Sequence, residues 1–121
     1  MTTIKSHTDI PQSKKLAKFL PLESADMCYR YYSGSMITGY GDCVLAKSYI
    51  TGKNVIREND LPCWSLAKLL DILPKIHGVK PILDLEENSI QYTGIDLYVV
   101  ADNPVDACYE MIVKLNELKM L

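Results

Sequence analysis

The sequence predicts an α+β domain: an antiparallel sheet of about four to five strands packed by two to three helices. Three observations carry this. Apolar residues recur at helical spacing twice, first as Leu66, Leu69, Leu70 and Leu73 and then as Cys108, Met111, Ile112 and Leu115. Between these stripes, residues 81–101 divide into three short apolar runs that suit an antiparallel meander. Ahead of both, residues 26–32 are rich in tyrosine and are followed by Gly34, Gly39 and Gly41, the pattern of strands interrupted by turns.

Taken in order, residues 1–11 are polar and read as a loose leader. Ser13 is the expected cap of a short helix that turns Leu16, Phe19 and Leu20 inward before Pro21. Two strands follow, around residues 26–32 and at Cys43-Val44-Leu45-Ala46. Residues 51–60 hold Gly52, Asn54, Asn59 and four charges, which makes them the expected mobile loop. Ser65 caps the second helix and Pro74 ends it. Residues 81–86 and 89–93 flank a Glu87-Asn88 turn, and Ile95, Leu97, Val99 and Ala101 alternate along a third strand. In the last helix, Asn103 serves as cap, Pro104 suits the first position, and Asp106 meets the positive end of the dipole.

With 121 residues and an apolar share of 48%, the chain is sized for a single domain over residues 1–121 with one core. A net charge of −2 argues against a strong nucleic-acid binder. The charge is unevenly spread, however. Through Arg57 the chain has eight basic and four acidic residues, or +4, and from Glu58 onward five basic and eleven acidic, or −6. The two halves are expected to attract, within one fold or between subunits. No stretch approaches the roughly 18 apolar residues of a spanning helix, and Met1-Thr2-Thr3-Ile4-Lys5 lacks the pattern of a secretory signal. No membrane partner and a cytoplasmic location are therefore expected. Cys28, Cys43, Cys63 and Cys108 are widely spaced, without the close pairs of zinc or redox motifs, and read as free thiols.

Two short motifs, Ala25-Asp26-Met27-Cys28-Tyr29 and Pro62-x-Trp64-Ser65-Leu66, lie between a short helix and a leucine-rich one. In them the chain resembles small bacterial proteins found in prophages and other mobile elements. The resemblance covers most of the chain. It implies structural motifs and carries over no activity, cofactor or partner. It also implies that a small residue such as Ala or Ser commonly stands where this chain has Cys63, which weakens a catalytic role for that thiol.

Among residues that can do chemistry, Gly34 and Gly39 have the spacing of a phosphate loop, but Tyr40 and Gly41 replace the residues that bind phosphate and magnesium. Nucleotide binding is excluded there. Cys63, just ahead of a helix, is the best nucleophile, yet His7 in the loose leader and His77 beyond the helix are poorly placed to activate it. Packing as a small apolar residue is the expectation. Asp84, Glu86, Glu87 and Asp96 gather near the hairpin, with Asp84 and Glu86 the candidates for a hard metal. Their spacing fits solvated charges that protect an edge better.

Eight tyrosines against one phenylalanine and one tryptophan is an unusual aromatic balance. Tyr29 and Tyr31 are expected on one strand face and Tyr32 on the other. With Tyr40 and Trp64 they form the candidate contact surface, because an apolar ring with a polar tip suits protein interfaces. The function expected is a non-enzymatic interaction or self-associating module that uses no cofactor. The alternatives are a Cys63-dependent enzyme and a small-ligand or metal sensor at the carboxylate hairpin.

Overall fold

The computed structural model describes residues 5–34, 36, 38–48 and 50–121. Part of the amino-terminal leader, Ser35 and Ile37 in the glycine-punctuated turn, and Tyr49 lie outside the described residues.

Helix α1 (Ile10–Leu16) begins at Asp9, earlier than the Ser13 start expected. Asp9 Oδ1 accepts the Gln12 backbone N–H at 2.9 Å, and Gln12 Oε1 accepts that of Asp9 at 3.1 Å. This reciprocal box, with Pro11 just inside, is a stronger start signal than a lone serine. Ser13 instead sits buried within the helix with its hydroxyl 2.7 Å from that of Thr8.

The leader is not loose from Lys5 onward. His7 pairs with Ser65 as an antiparallel bridge, the Thr8 N–H donates to Trp64 O at 2.9 Å, and the Leu66 N–H donates to Ser6 O at 3.0 Å. Lys5 Nζ reaches Asp9 at 2.9 Å and Asp106 at 2.7 Å. A polar composition suggested mobility, but the backbone here satisfies its hydrogen bonds on a neighbouring strand edge.

Strands β1 (Met27–Ser33), β2 (Thr38–Leu45) and β3 (Leu61–Cys63) form one antiparallel sheet in the order β2-β1-β3. Tyr29 stands opposite Cys43, Tyr31 opposite Tyr40, and Met27 opposite Cys63. The register slips between Tyr29 and Tyr31, so Gly41 and Asp42 together face Arg30 as a bulge. Strands β4 (Ile82–Asp84), β5 (Ser89–Tyr92) and β6 (Leu97–Val100) form the expected meander as a second antiparallel sheet. The α+β class holds, but the described residues form two three-stranded sheets, not one sheet of four to five strands. The added strand is β3. Its segment had read as a lead-in to the helix, and it pairs because the 51–60 connection returns it to the open edge of β1.

Helices α2 (Leu66–Ile72) and α3 (Pro104–Glu117) start where expected. Ser65 Oγ accepts the Lys68 N–H at 3.2 Å and Asn103 Oδ1 accepts that of Asp106 at 2.9 Å. One core joins them. Leu16 and Leu20 from the first helix and its exit meet Trp64, Leu69 and Leu73, then Ile90, Tyr92 and Leu97 of the second sheet and Cys108, Met111, Ile112 and Leu115 of α3. The opposed charges of the two halves meet inside the fold, through Lys5 with Asp106 and Arg30 with Asp60. Among the described residues no helix is long and apolar enough to cross a membrane.

Candidate functional site

Alternation along β1 sends Met27, Tyr29 and Tyr31 to one face of the first sheet. Cys43 and Tyr40 on β2 and Cys63 on β3 share that face through their pairing, and the bridging leader adds His7 beside it. Among the described residues, His7, Cys43 and Cys63 are the group of three potential metal ligands that converges, with ligand atoms all within 4.8 Å of one another. The expectation that His7, in a loose leader, is poorly placed beside Cys63 is corrected. The leader docks along β3 and carries the imidazole with it.

The two sulfurs are 3.5 Å apart and unbonded. Cys63 has no exposed surface, whereas Cys43 and His7 are half-buried and open the site to solvent on one side. Thr8 Oγ1 donates to Cys63 Sγ at 3.5 Å, and Tyr29 OH donates to Thr8 O at 2.7 Å. On the imidazole, Nδ1 lies 3.0 Å from Ser6 Oγ, and the ring is tilted against Tyr29 with centroids 5.9 Å apart.

These contacts separate the two thiols chemically. Hydrogen bonding from Cys43, helped by the Thr8 and Ser13 hydroxyls, outweighs burial and holds the Cys63 thiol below its ordinary value. Cys43, as the donor in that bond and partly buried, is pushed up. Burial, together with the neighbouring thiols, also raises Tyr29. Of the pair, Cys63 is thus the sulfur that ionises first. Without surface of its own it offers no path to a bulky substrate.

The other expected residues are placed differently. Trp64 is core, fully buried with its indole N–H donating to Ser24 Oγ at 3.0 Å, and is not available to a partner. Tyr31 and Tyr40 pack edge to face at 5.6 Å, with Lys14 Nζ 5.6 Å from the Tyr40 ring. Cross-strand packing accounts for these two. Tyr32 points to the opposite face, 47% exposed, its ring lying so close over Gly41 that a Cβ there would sit 2.5 Å from it. Asp84 and Glu86 are exposed. Asp84 Oδ1 accepts the backbone N–H groups of Glu86 and Glu87 at 2.9 and 3.2 Å, which makes it a turn residue rather than a ligand.

The expected mobile loop ends on a buried anchor. Asp60 accepts from Arg30 at 2.8 Å and from the Tyr31 and Arg57 N–H groups at 2.9 Å each. Burial alone would raise its carboxyl, but the Tyr31 and Arg57 backbone bonds and the two guanidinium groups overcome this and hold it at about 2. A surface groove of about 630 Å³ between α1 and α3, lined by Lys14, Lys18, Phe19 and Val113, lies apart from the thiols.

A surface that sequence reasoning missed lies on the second sheet. Its inner face, Leu83, Ile90, Val99, Tyr92 and Leu97, packs into the core against α3. Its outer face carries Ile82, Tyr98 and Val100 at 53%, 47% and 54% exposure. The available signal was that Ile82, Tyr98 and Val100 stand at outward positions, beside Asp84, Ser89 and Gln91, where a half-solvated sheet alternates to polar. Comparison with known protein families, curated proteins and solved structures finds no match to this chain.

Proposed function

We propose that the protein is a non-enzymatic accessory module that works by contact with another protein, in the first instance a second copy of itself. The observation that carries this reading is the outer face of β4, β5 and β6. An antiparallel sheet with one face on its core normally shows polar side chains on the other. Here Ile82 and Tyr98 flank Gln91 in one row, and Val100 stands beside Tyr98 along the same strand, opposite Ser89 and Asp84 in the next row. Exposed apolar side chains gathered on one sheet face are a mark of interaction sites. Strand β6 ends the sheet, so its outer backbone edge lies beside the same patch. Self-association through this patch would be isologous, each copy presenting the same side chains to the other.

The four free thiols accord with a reducing compartment, and we place the protein in the cytoplasm. The motifs at residues 25–29 and 62–66 support an origin among prophage and mobile-element proteins. Sedimentation over a concentration series tests the reading. The wild-type chain should self-associate, and Val100→Glu should weaken assembly at least ~10-fold by burying an unpaired charge. Loss of assembly with Tyr32→Ala but not with Val100→Glu would move the interface to the first sheet. A wild-type monomer at every concentration would refute self-association.

A further inference from the structure

The two half-exposed ligands and one buried thiol on the first sheet form a site that the proposed interface does not use. We propose that His7, Cys43 and Cys63 bind one divalent cation of the zinc class, with a fourth position left to water or a small ligand.

The geometry is near closure. With metal–sulfur bonds of about 2.3 Å and a metal–nitrogen bond of about 2.0 Å, a tetrahedral ion sets its sulfurs about 3.8 Å apart and sulfur and nitrogen about 3.5 Å apart. The sulfurs here are 3.5 Å apart and no two ligand atoms are further apart than 4.8 Å. Closing the site therefore takes a movement of about 1 Å, within reach of side-chain rotation.

A disulfide competes for the same two sulfurs, and the sheet order disfavours it. Strand β1 lies between β2 and β3, so the backbones of Cys43 and Cys63 are separated by a whole strand. In a flat sheet that separation is about 9–10 Å, beyond the roughly 4.4–6.8 Å between Cα atoms that a disulfide spans. The side chains still bring their sulfurs to 3.5 Å, but an S–S bond would pull the strands together further, whereas an ion needs the sulfurs to stay nearly where they are.

Charge and outer contacts agree. Two thiolates neutralise a dication, so the bound site carries no net charge into a half-buried setting. Thr8 Oγ1 on the Cys63 sulfur and Ser6 Oγ on the imidazole Nδ1 are the kind of outer contacts that orient ligating cysteine and histidine. With three protein ligands and an open side at Cys43 and His7, the coordination matches a site that exchanges its fourth ligand rather than a closed structural one. Binding would also staple the leader to β2 and β3, three segments joined now by hydrogen bonds and packing.

The test is a titration of the reduced full-length protein with cobalt(II), followed by competition with zinc(II). One equivalent should produce the near-ultraviolet sulfur-to-cobalt charge-transfer bands, zinc should abolish them, and either ion should raise the melting temperature because it binds the folded chain. Cys43→Ser and His7→Gln alter half-exposed residues and should keep the metal-free urea midpoint. Losing a ligand should weaken binding by ~100-fold or more, beyond the 10–100-fold typical of outer contacts. If Cys63→Ser fails to fold, these two variants carry the test alone. Absence of the charge-transfer bands at one equivalent, or bands undiminished in Cys43→Ser, would overturn the proposal.

Discussion

Replacing Asp60 with Asn keeps the shape and one acceptor of the side chain but removes its charge from between Arg30 and Arg57. The carboxyl is held at about 2 against an ordinary 3.8, which at ~1.4 kcal/mol per pKa unit amounts to about 2 kcal/mol of stability above pH 5. The side chain is 1% exposed, so solvent screens this little. The sign follows from the depressed value. The unfolded chain takes up its proton first, so the contribution is full above about pH 5 and disappears as pH falls through about 2. By pH 3 about 1 kcal/mol of it should be gone. Urea unfolding of wild type and Asp60→Asn at pH 7 and pH 3 reads this directly. The variant should be less stable by about 2–3 kcal/mol at pH 7, since it also leaves the Arg30 charge without its partner. The gap should narrow by about 1 kcal/mol at pH 3. A gap that stays constant between the two pH values would show that the carboxylate is not held by these charges, and the reasoning would fail.

Two further outcomes follow from local geometry. Ser65→Ala removes the cap of α2 and the hydroxyl that donates to Asp26 Oδ2. It should lower stability by about 2 kcal/mol, and a urea midpoint within error of wild type would contradict both roles. Cys108 is fully buried on α3 and burial pushes its thiol up to about 12. Iodoacetamide near neutral pH should leave it unmodified in the folded protein and label it in urea, as peptide mass spectrometry would show. Native labelling of Cys108 would mean that the core opens far more often than its packing implies.

Much of the fold was legible because its signals are local. The Ser65 and Asn103 caps, Pro104, and the stripes at residues 66–73 and 108–115 each act within a turn or two of helix, and each helix forms where they place it. The meander was legible from alternation and the Glu87-Asn88 turn. What failed was long-range. Leu61-Pro62-Cys63 is too short to announce a strand, and becomes one only because β1 offers it an edge. Residues 5–8 are polar and carry no periodic signal, yet they are held by backbone bonds to Trp64 and Leu66, where β3 runs into α2, which depend on chain path rather than side-chain type.

The candidate site shows the same division. By itself the sequence determined which atoms are available: four thiols and two imidazoles, none in a recognisable ligand spacing. It also determined that Tyr29 and Tyr31 share a face while Tyr32 takes the other, because strand alternation is a property of the backbone. Only the tertiary structure decided that His7, Cys43 and Cys63 meet. They belong to three separate segments, and their convergence is a consequence of strand order and register. Tertiary packing likewise decided that Trp64 is core and that Ile82, Tyr98 and Val100 are surface. An apolar side chain is buried only if another layer covers it, and the second sheet has the core on one face alone.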